Sequence, residues 1–191
     1  MTICVYGAAS DKIDSAYIKA VEELGRKIAK RGHSLVYGAG ASGLMGAVAR
    51  GMYAEGGEII GVSPTFFNVD GVLFEHCTKL IYTETMRERK KIMEDTADAF
   101  IMVPGGVGTF DEFFEILTLK QLDRHNKAMV VFNCNHYYDA LGAMMEKAVS
   151  EGFISEPTLE LYQVMDDADA ILDYIEQYTA GELDVNKLRN L

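Results

Sequence analysis

The chain has 191 residues, 49% of them hydrophobic and 25% charged, which suits one globular domain with a buried core. Its 29 acidic and 18 basic residues leave a formal net charge of -11, a balance that argues against nucleic acid or an anionic membrane as partner. A small anionic ligand needs only a local site and stays open. Cys4, Cys77 and Cys134 are scattered and form no CxxC pair, as expected of reduced thiols in the cytoplasm. The opening residues lack a basic, apolar leader pattern, and no apolar stretch approaches the ~20 residues of a membrane span.

Short β-rich runs alternate with longer amphipathic ones. Residues 3–6 predict a strand and 13–30 a helix, with Tyr17, Val21, Leu24 and Ile28 at helical spacing. A strand over 34–37, a helix over 44–54 and a strand over 58–62 follow. Residues 65–74 show no period and read as a loop. Then come a strand over 79–83, a helix over 85–95, an apolar strand over 99–103 and a helix over 109–121. Strands over 128–132 and 162–165 and helices over 137–149 and 168–178 complete the pattern. The polar residues from 179 onward predict a loose tail after a single domain spanning 1–178. Repeated βα with apolar strands implies an α/β, Rossmann-like parallel sheet with helices on both faces. Ligands of such sheets bind beyond the carboxyl ends of the strands.

Pro104-Gly105-Gly106-Val107-Gly108-Thr109 follows an apolar strand and opens a helix. Its backbone N–H groups can converge on one anion, which the helix dipole also favours. The competing reading is a tight turn with Thr109 as N-cap. Asp111 and Glu112 are placed in that helix's first turn. They are either acids stabilised by the dipole or carboxylates that hold ribose hydroxyls and position water. Met86-Arg87-Glu88-Arg89-Lys90-Lys91 is a cationic run in an acidic chain. It reads as a solvated face, except that Arg89 points away from Arg87 and Lys90 and is free to turn toward a cleft. Gly38-Ala39-Gly40-Ala41-Ser42-Gly43 matches G-x-G-x-x-G, with Glu58 as the acid expected some twenty residues on. It sits on the second βα unit, which weakens a dinucleotide reading. The four histidines show no metal-ligand spacing.

Pro104-Gly105-Gly106-Val107-Gly108-Thr109-Phe110-Asp111-Glu112 resembles the PGGxGTxxE hallmark of the LONELY GUY (LOG) family, the cytokinin riboside 5′-monophosphate phosphoribohydrolases. Met86-Arg87-Glu88-Arg89-Lys90 is similar to the family's M-x-x-R-K, and Gly43-Leu44-Met45-Gly46 to a third signature. The resemblance implies hydrolysis of the N-glycosidic bond of a nucleoside 5′-monophosphate, with AMP and prenylated adenine nucleotides as candidates. It implies Arg89 and Glu112 as catalytic residues, and a phosphate loop at Gly105, Gly106, Val107, Gly108 and Thr109. Met86, Lys90 and Asp111 would line the nucleotide pocket. No metal and no organic cofactor are implied, and the expected assembly is a homodimer with active sites near the interface. The alternative is a nucleotide-binding regulatory protein that uses the same loop without turnover. A pyridoxal-dependent decarboxylase is disfavoured, because no Schiff-base lysine site is visible.

Overall fold

The computed structural model describes residues 1–188. Seven strands form one sheet: β1 (Thr2–Tyr6), β2 (Ser34–Tyr37), β3 (Ile59–Pro64), β4 (Lys79–Thr83), β5 (Ala99–Met102), β6 (Ala128–Phe132) and β7 (Gln163–Met165). The spatial order is β4-β3-β2-β1-β5-β6-β7, and every pairing is parallel. The helices are α1 (Ser15–Lys30), α2 (Gly43–Ala54), α3 (Met86–Thr96), α4 (Val107–Gln121), α5 (Asp139–Ser150), α6 (Ala168–Gln177) and the short α7 (Val185–Leu188). This is the α/β, Rossmann-like arrangement expected from alternating apolar strands and amphipathic helices.

Successive side chains of a strand point to opposite faces, so each central strand feeds two cores. Ile3 and Val5 join Leu35, Tyr37 and Ile59 beneath α1, α2 and α6. Cys4 and Tyr6 join Val36, Val62, Phe100 and Met102 beneath α3 and α4. The chain runs outward from β1 in one direction through β2, β3 and β4, then returns to β5 on its other side. The loops after β1 and β5 therefore diverge and leave a crevice at the carboxyl ends.

Three boundaries differ from expectation in ways that bear on the site. Helix α4 begins at Val107 with Gly106 as its N-cap, not at Thr109. Residues 65–67 form a single 3₁₀ turn before the loop continues. The tail is not loose at 185–188. Leu188 is only 4% exposed, and its carbonyl accepts from Gln121 Nε2 at 2.6 Å and Ser155 Oγ at 3.0 Å. Residues 189–191 of that expected tail lie outside the described residues.

Candidate active site

Helix α3 starts at Thr85, whose hydroxyl accepts from the Glu88 N–H while the Glu88 carboxylate accepts from the Thr85 N–H. This capping box uses the one acid inside the cationic run. It also sets the helix's rotation. Arg89 lands four residues before Met93 and eight before Ala97, on the stripe that faces the core. Arg89 is 7% exposed, whereas Arg87 lies in solvent.

The buried guanidinium is held from three sides. Arg89 Nη1 donates to Glu112 Oε1 at 2.7 Å, and Nε donates to the Val62 carbonyl at 3.2 Å. The third side is Gly38, where a Cβ would stand 1.9 Å from Arg89 Nη2. Gly38 is thus glycine because the arginine occupies the space of its side chain. Glu112, 9% exposed, lies on the buried stripe of α4 with Thr109, Phe113 and Ile116. Since α4 begins at Val107, Glu112 sits in the second turn rather than the first. The dipole fades within one turn, so Arg89 and not the helix terminus accounts for this buried acid. Burial raises the Glu112 carboxyl above the usual range, and Arg89 pulls it back in part.

The loop from Pro104 to Thr109 is fixed from behind. Tyr138 donates its hydroxyl to the Val103 carbonyl at 2.8 Å, and Tyr137 donates to the Gly105 carbonyl at 2.7 Å. Thr109 packs where a Gly105 side chain would be, with Oγ1 only 2.1 Å from that Cβ position. The first α4 N–H to reach a backbone partner is Phe110, which bonds the Gly106 carbonyl at 3.0 Å. The N–H groups of Gly106, Val107, Gly108 and Thr109 have no protein acceptor among the described residues. They present a converging set of donors, the arrangement that favours an anion.

The other glycine segment is different. At the start of α2 the Gly43 N–H donates to Asp11 Oδ1 at 2.7 Å, and the Leu44 and Met45 N–H groups both donate to the Ala8 carbonyl. Those donors are consumed within the chain. Glu58 accepts from the Ser34 hydroxyl at 2.6 Å, at the amino end of the sheet and away from the crevice. The segment's helix entrance therefore offers a ligand no free N–H from Gly43, Leu44 or Met45, although Gly38 and Gly40 line the cleft.

A cleft of about 620 Å³ lies over the carboxyl ends of the strands. Met86, Arg89, Gly106, Gly108, Thr109, Asp111 and Glu112 all line it. Gly105, Val107 and Lys90 do not. Gly105 is buried behind the loop, and Val107 is 84% exposed on the outer side. Lys90 faces outward too, pairing with Glu115 at 2.5 Å and Asp111 at 3.1 Å. It bridges α3 to α4 rather than lining the pocket. Ser42 and Met45, from the second glycine segment, line the cleft as well, and Ser63, Phe67, Val72 and Leu73 line it without having been anticipated from the sequence. The available signal was the aromatic pair Phe66-Phe67 in the aperiodic loop shortly after a strand.

The fold and cleft define a class: an α/β protein whose cleft joins a helix entrance with free N–H groups to a buried Arg–Glu pair. The chain belongs to the LONELY GUY family of cytokinin riboside 5′-monophosphate phosphoribohydrolases. A family model described as "Possible lysine decarboxylase" matches residues 45–175. The chain is 40% identical over 158 residues to the cytokinin riboside 5′-monophosphate phosphoribohydrolase of Rhodococcoides fascians, covering 82% of this chain and 80% of that protein. It is 34% identical over 176 residues to LOG2 of Arabidopsis thaliana, covering 92% and 83%. Among solved structures, the molybdenum cofactor binding protein of Rippkaea orientalis superposes with a TM-score of 0.71 at 19% identity, covering 92% of this chain and 94% of that one. That similarity concerns the fold.

Proposed function

We propose that the protein hydrolyses the N-glycosidic bond of a nucleoside 5′-monophosphate, AMP or an N6-prenylated relative, to free base and ribose 5-phosphate. The observation that carries this reading is the buried Arg89–Glu112 pair, which opens onto the same cleft as the free N–H groups of the α4 entrance. The relatives' names point to the same reaction.

The 5′-phosphate docks on the N–H groups of Gly106, Gly108 and Thr109. Its binding energy, remote from the reacting bond, offsets distortion at C1′. The C1′–N bond breaks with its electron pair leaving on the base, through an oxocarbenium-like state. The Glu112 carboxylate faces that growing positive charge, holds ribose hydroxyls and orients the attacking water. Water adds its oxygen to C1′ and releases a proton, and the departing base takes up one. Arg89 keeps Glu112 in place, and Asp111 at the cleft rim contacts the ribose. This chemistry calls for no metal or organic cofactor.

The proposal extends to a cytoplasmic homodimer. No helix among the described residues is long and apolar enough to cross a membrane. A groove on the outer side of α3 and α4 is lined by Val107, Phe110, Phe114 and Leu119, and helix α5 buries none of its side chains. A second copy seated there would lie beside the cleft. Net charge −11 sets the surface against nucleic acid.

The test is a panel of nucleoside monophosphates and matching nucleosides, with free base followed by chromatography. AMP-type nucleotides are cleaved and nucleosides far more slowly. Comparable kcat/KM for adenosine and AMP would overturn the phosphate-loop assignment. AMP bound and returned unchanged would leave a regulatory nucleotide-binding protein.

A further inference from the structure

Four consecutive carbonyls at the loop before α4 are each tied to a different partner. Val103 accepts from the Tyr138 hydroxyl at 2.8 Å, Pro104 from the Ala8 N–H at 3.1 Å, Gly105 from the Tyr137 hydroxyl at 2.7 Å and Gly106 from the Phe110 N–H at 3.0 Å. A peptide unit is planar and trans, so its carbonyl and its N–H point in opposite directions. Whatever holds the carbonyl of one residue therefore aims the N–H of the next. Tyr137, holding the Gly105 carbonyl, aims the Gly106 N–H away from itself. Gly106 lines the cleft, Gly105 is buried behind it, and the Gly106 N–H has no acceptor among the described residues.

The Gly105–Gly106 unit is the one that most needs holding. It lies between two glycines, so no Cβ on either side opposes its rotation by half a turn. Rotated, it would present a carbonyl oxygen where it now presents an N–H, setting an acceptor against an anion. Among the described residues the Tyr137 hydroxyl is the sole partner of the Gly105 carbonyl. Tyr138 also holds the loop, but its unit is Val103–Pro104, and proline has no N–H to aim.

An uncommon backbone brings both hydroxyls to one loop. Adjacent residues of a helix do not face the same way. These two follow a 3₁₀ turn, Cys134–His136, in which Asn135 (φ 53°) and His136 (φ 59°) are both left-handed. Two such residues in succession, neither a glycine, are strained and persist only where their surroundings hold them. Asn133 supplies the hold. Its Oδ1 accepts from the Tyr138 N–H at 2.6 Å, its Nδ2 donates to Asp139 Oδ1 at 2.7 Å, and its own N–H donates to the Met165 carbonyl at 2.7 Å. The Tyr137 ring is braced edge-on by Tyr138 and by Tyr17 of α1, with ring centres 4.8 and 6.0 Å away.

Resting on the nucleotide reading above, we propose that Tyr137 is a positioning residue for the 5′-phosphate, its hydroxyl locking the Gly105–Gly106 peptide with the N–H toward the ligand. The experiment is calorimetric titration of ribose 5-phosphate into the unsubstituted protein, Tyr137→Phe and Tyr138→Phe, with a melting curve for each. Tyr137→Phe keeps the ring and its packing but frees the peptide. It weakens ribose 5-phosphate about 5-fold, the worth of one hydrogen bond. Tyr138→Phe removes the more deeply buried hydroxyl, so it lowers Tm more and leaves the affinity unchanged. If both tyrosines only packed the loop, the more buried one would matter more to both measurements. Ribose 5-phosphate that does not bind, an affinity unchanged in Tyr137→Phe, or an equal loss in both variants would overturn the assignment. Release of adenine from AMP by the unsubstituted protein is scored separately. No release, with ribose 5-phosphate binding that depends on Tyr137, sinks the hydrolase reading and upholds the positioning role. Release with binding indifferent to Tyr137→Phe does the reverse.

Discussion

Glu112 carries a charge in a place where burial disfavours charge, and Arg89 is what makes it tolerable. Replacing Glu112 by Gln keeps the shape and a hydrogen-bond acceptor for Arg89 but removes the negative charge that an oxocarbenium-like state needs. The expected result is a folded protein whose kcat for AMP falls ~10²-fold or more with little change in KM, read from steady-state kinetics. Near-normal turnover would reduce Glu112 to a packing residue. The pH profile follows from the same burial. In the proposed reaction the ionised carboxylate is the working form, and burial holds its pKa above the usual range. Activity is therefore lost as pH falls, with a midpoint higher than an exposed glutamate would give. The cationic run supplies a second residue-scale comparison. Arg87→Ala touches solvent and leaves kcat/KM mostly intact, while Arg89→Ala cripples it. Arg89→Lys does not restore it, because a lysine lacks the planar fork that spans Glu112 and the Val62 carbonyl together. Similar mild losses at 87 and 89, with melting curves unchanged, would remove Arg89 from the machinery.

Two helix entrances on one sheet have opposite electrostatic fates, and the difference is which donors the chain itself consumes. The α2 entrance is closed by Asp11 and Ala8, whereas the α4 entrance keeps its donors free. Asp11→Ala exposes the Gly43 N–H and removes a favourable charge at the helix terminus. Loss of such a cap costs ~1 kcal/mol. For a chain of this size that corresponds to a fall in Tm of about 2–4 °C, measurable by calorimetry. Because Asp11 acts on α2 and not on the α4 entrance, KM for AMP changes little. A large rise in KM with Tm unchanged would mean that Asp11 contacts the ligand.

At the scale of the whole molecule, Lys120 joins three parts of the far edge. Its ammonium donates to the Lys127 carbonyl at 2.8 Å and to the Tyr178 hydroxyl at 2.9 Å, linking the end of α4 to the approach to β6 and the end of α6. No carboxylate pairs with it among the described residues, and burial pulls its pKa down to about 8. The unfolded chain holds that proton more tightly than the native one. Stability therefore rises with pH between about 8 and the ordinary lysine value, and the penalty is fully present below 8. Lys120→Met removes the titration while keeping an unbranched apolar stem. The Tm of the parent relative to Lys120→Met should shift in the parent's favour as pH is raised from 7 to about 9.5. A difference that stays flat over that range would place the Lys120 ammonium in contact with water.

The alternation of apolar strands with amphipathic helices was enough to determine a parallel sheet with covered faces, because each pattern has one period that buries its apolar side. The glycine run ahead of Thr109 likewise announced a turn that leaves backbone N–H groups free, since a local stretch of backbone makes it. Arg89 was partly legible. Its offset from Arg87 and Lys90 is a helical-wheel property, but its burial depends on Gly38 and Val62 from two other strands. Lys90 and Val107 went the other way: inside the hallmark segments, they face outward, because α3 and α4 are rotated by the stripes they bury. The place of the G-x-G-x-x-G segment on the second βα unit already weakened a dinucleotide reading, but only the tertiary structure showed that Ala8 and Asp11 take the N–H donors of its helix entrance. Ser42 and Phe67 had no local signature as a pair, being 25 residues apart and brought together only by the parallel order of β2 and β3. Periodicity and turn chemistry act over a few residues and are written along the chain. Which donors stay free, and which distant side chains share a cleft, are set by strand order and helix rotation, which exist only once the sheet has closed.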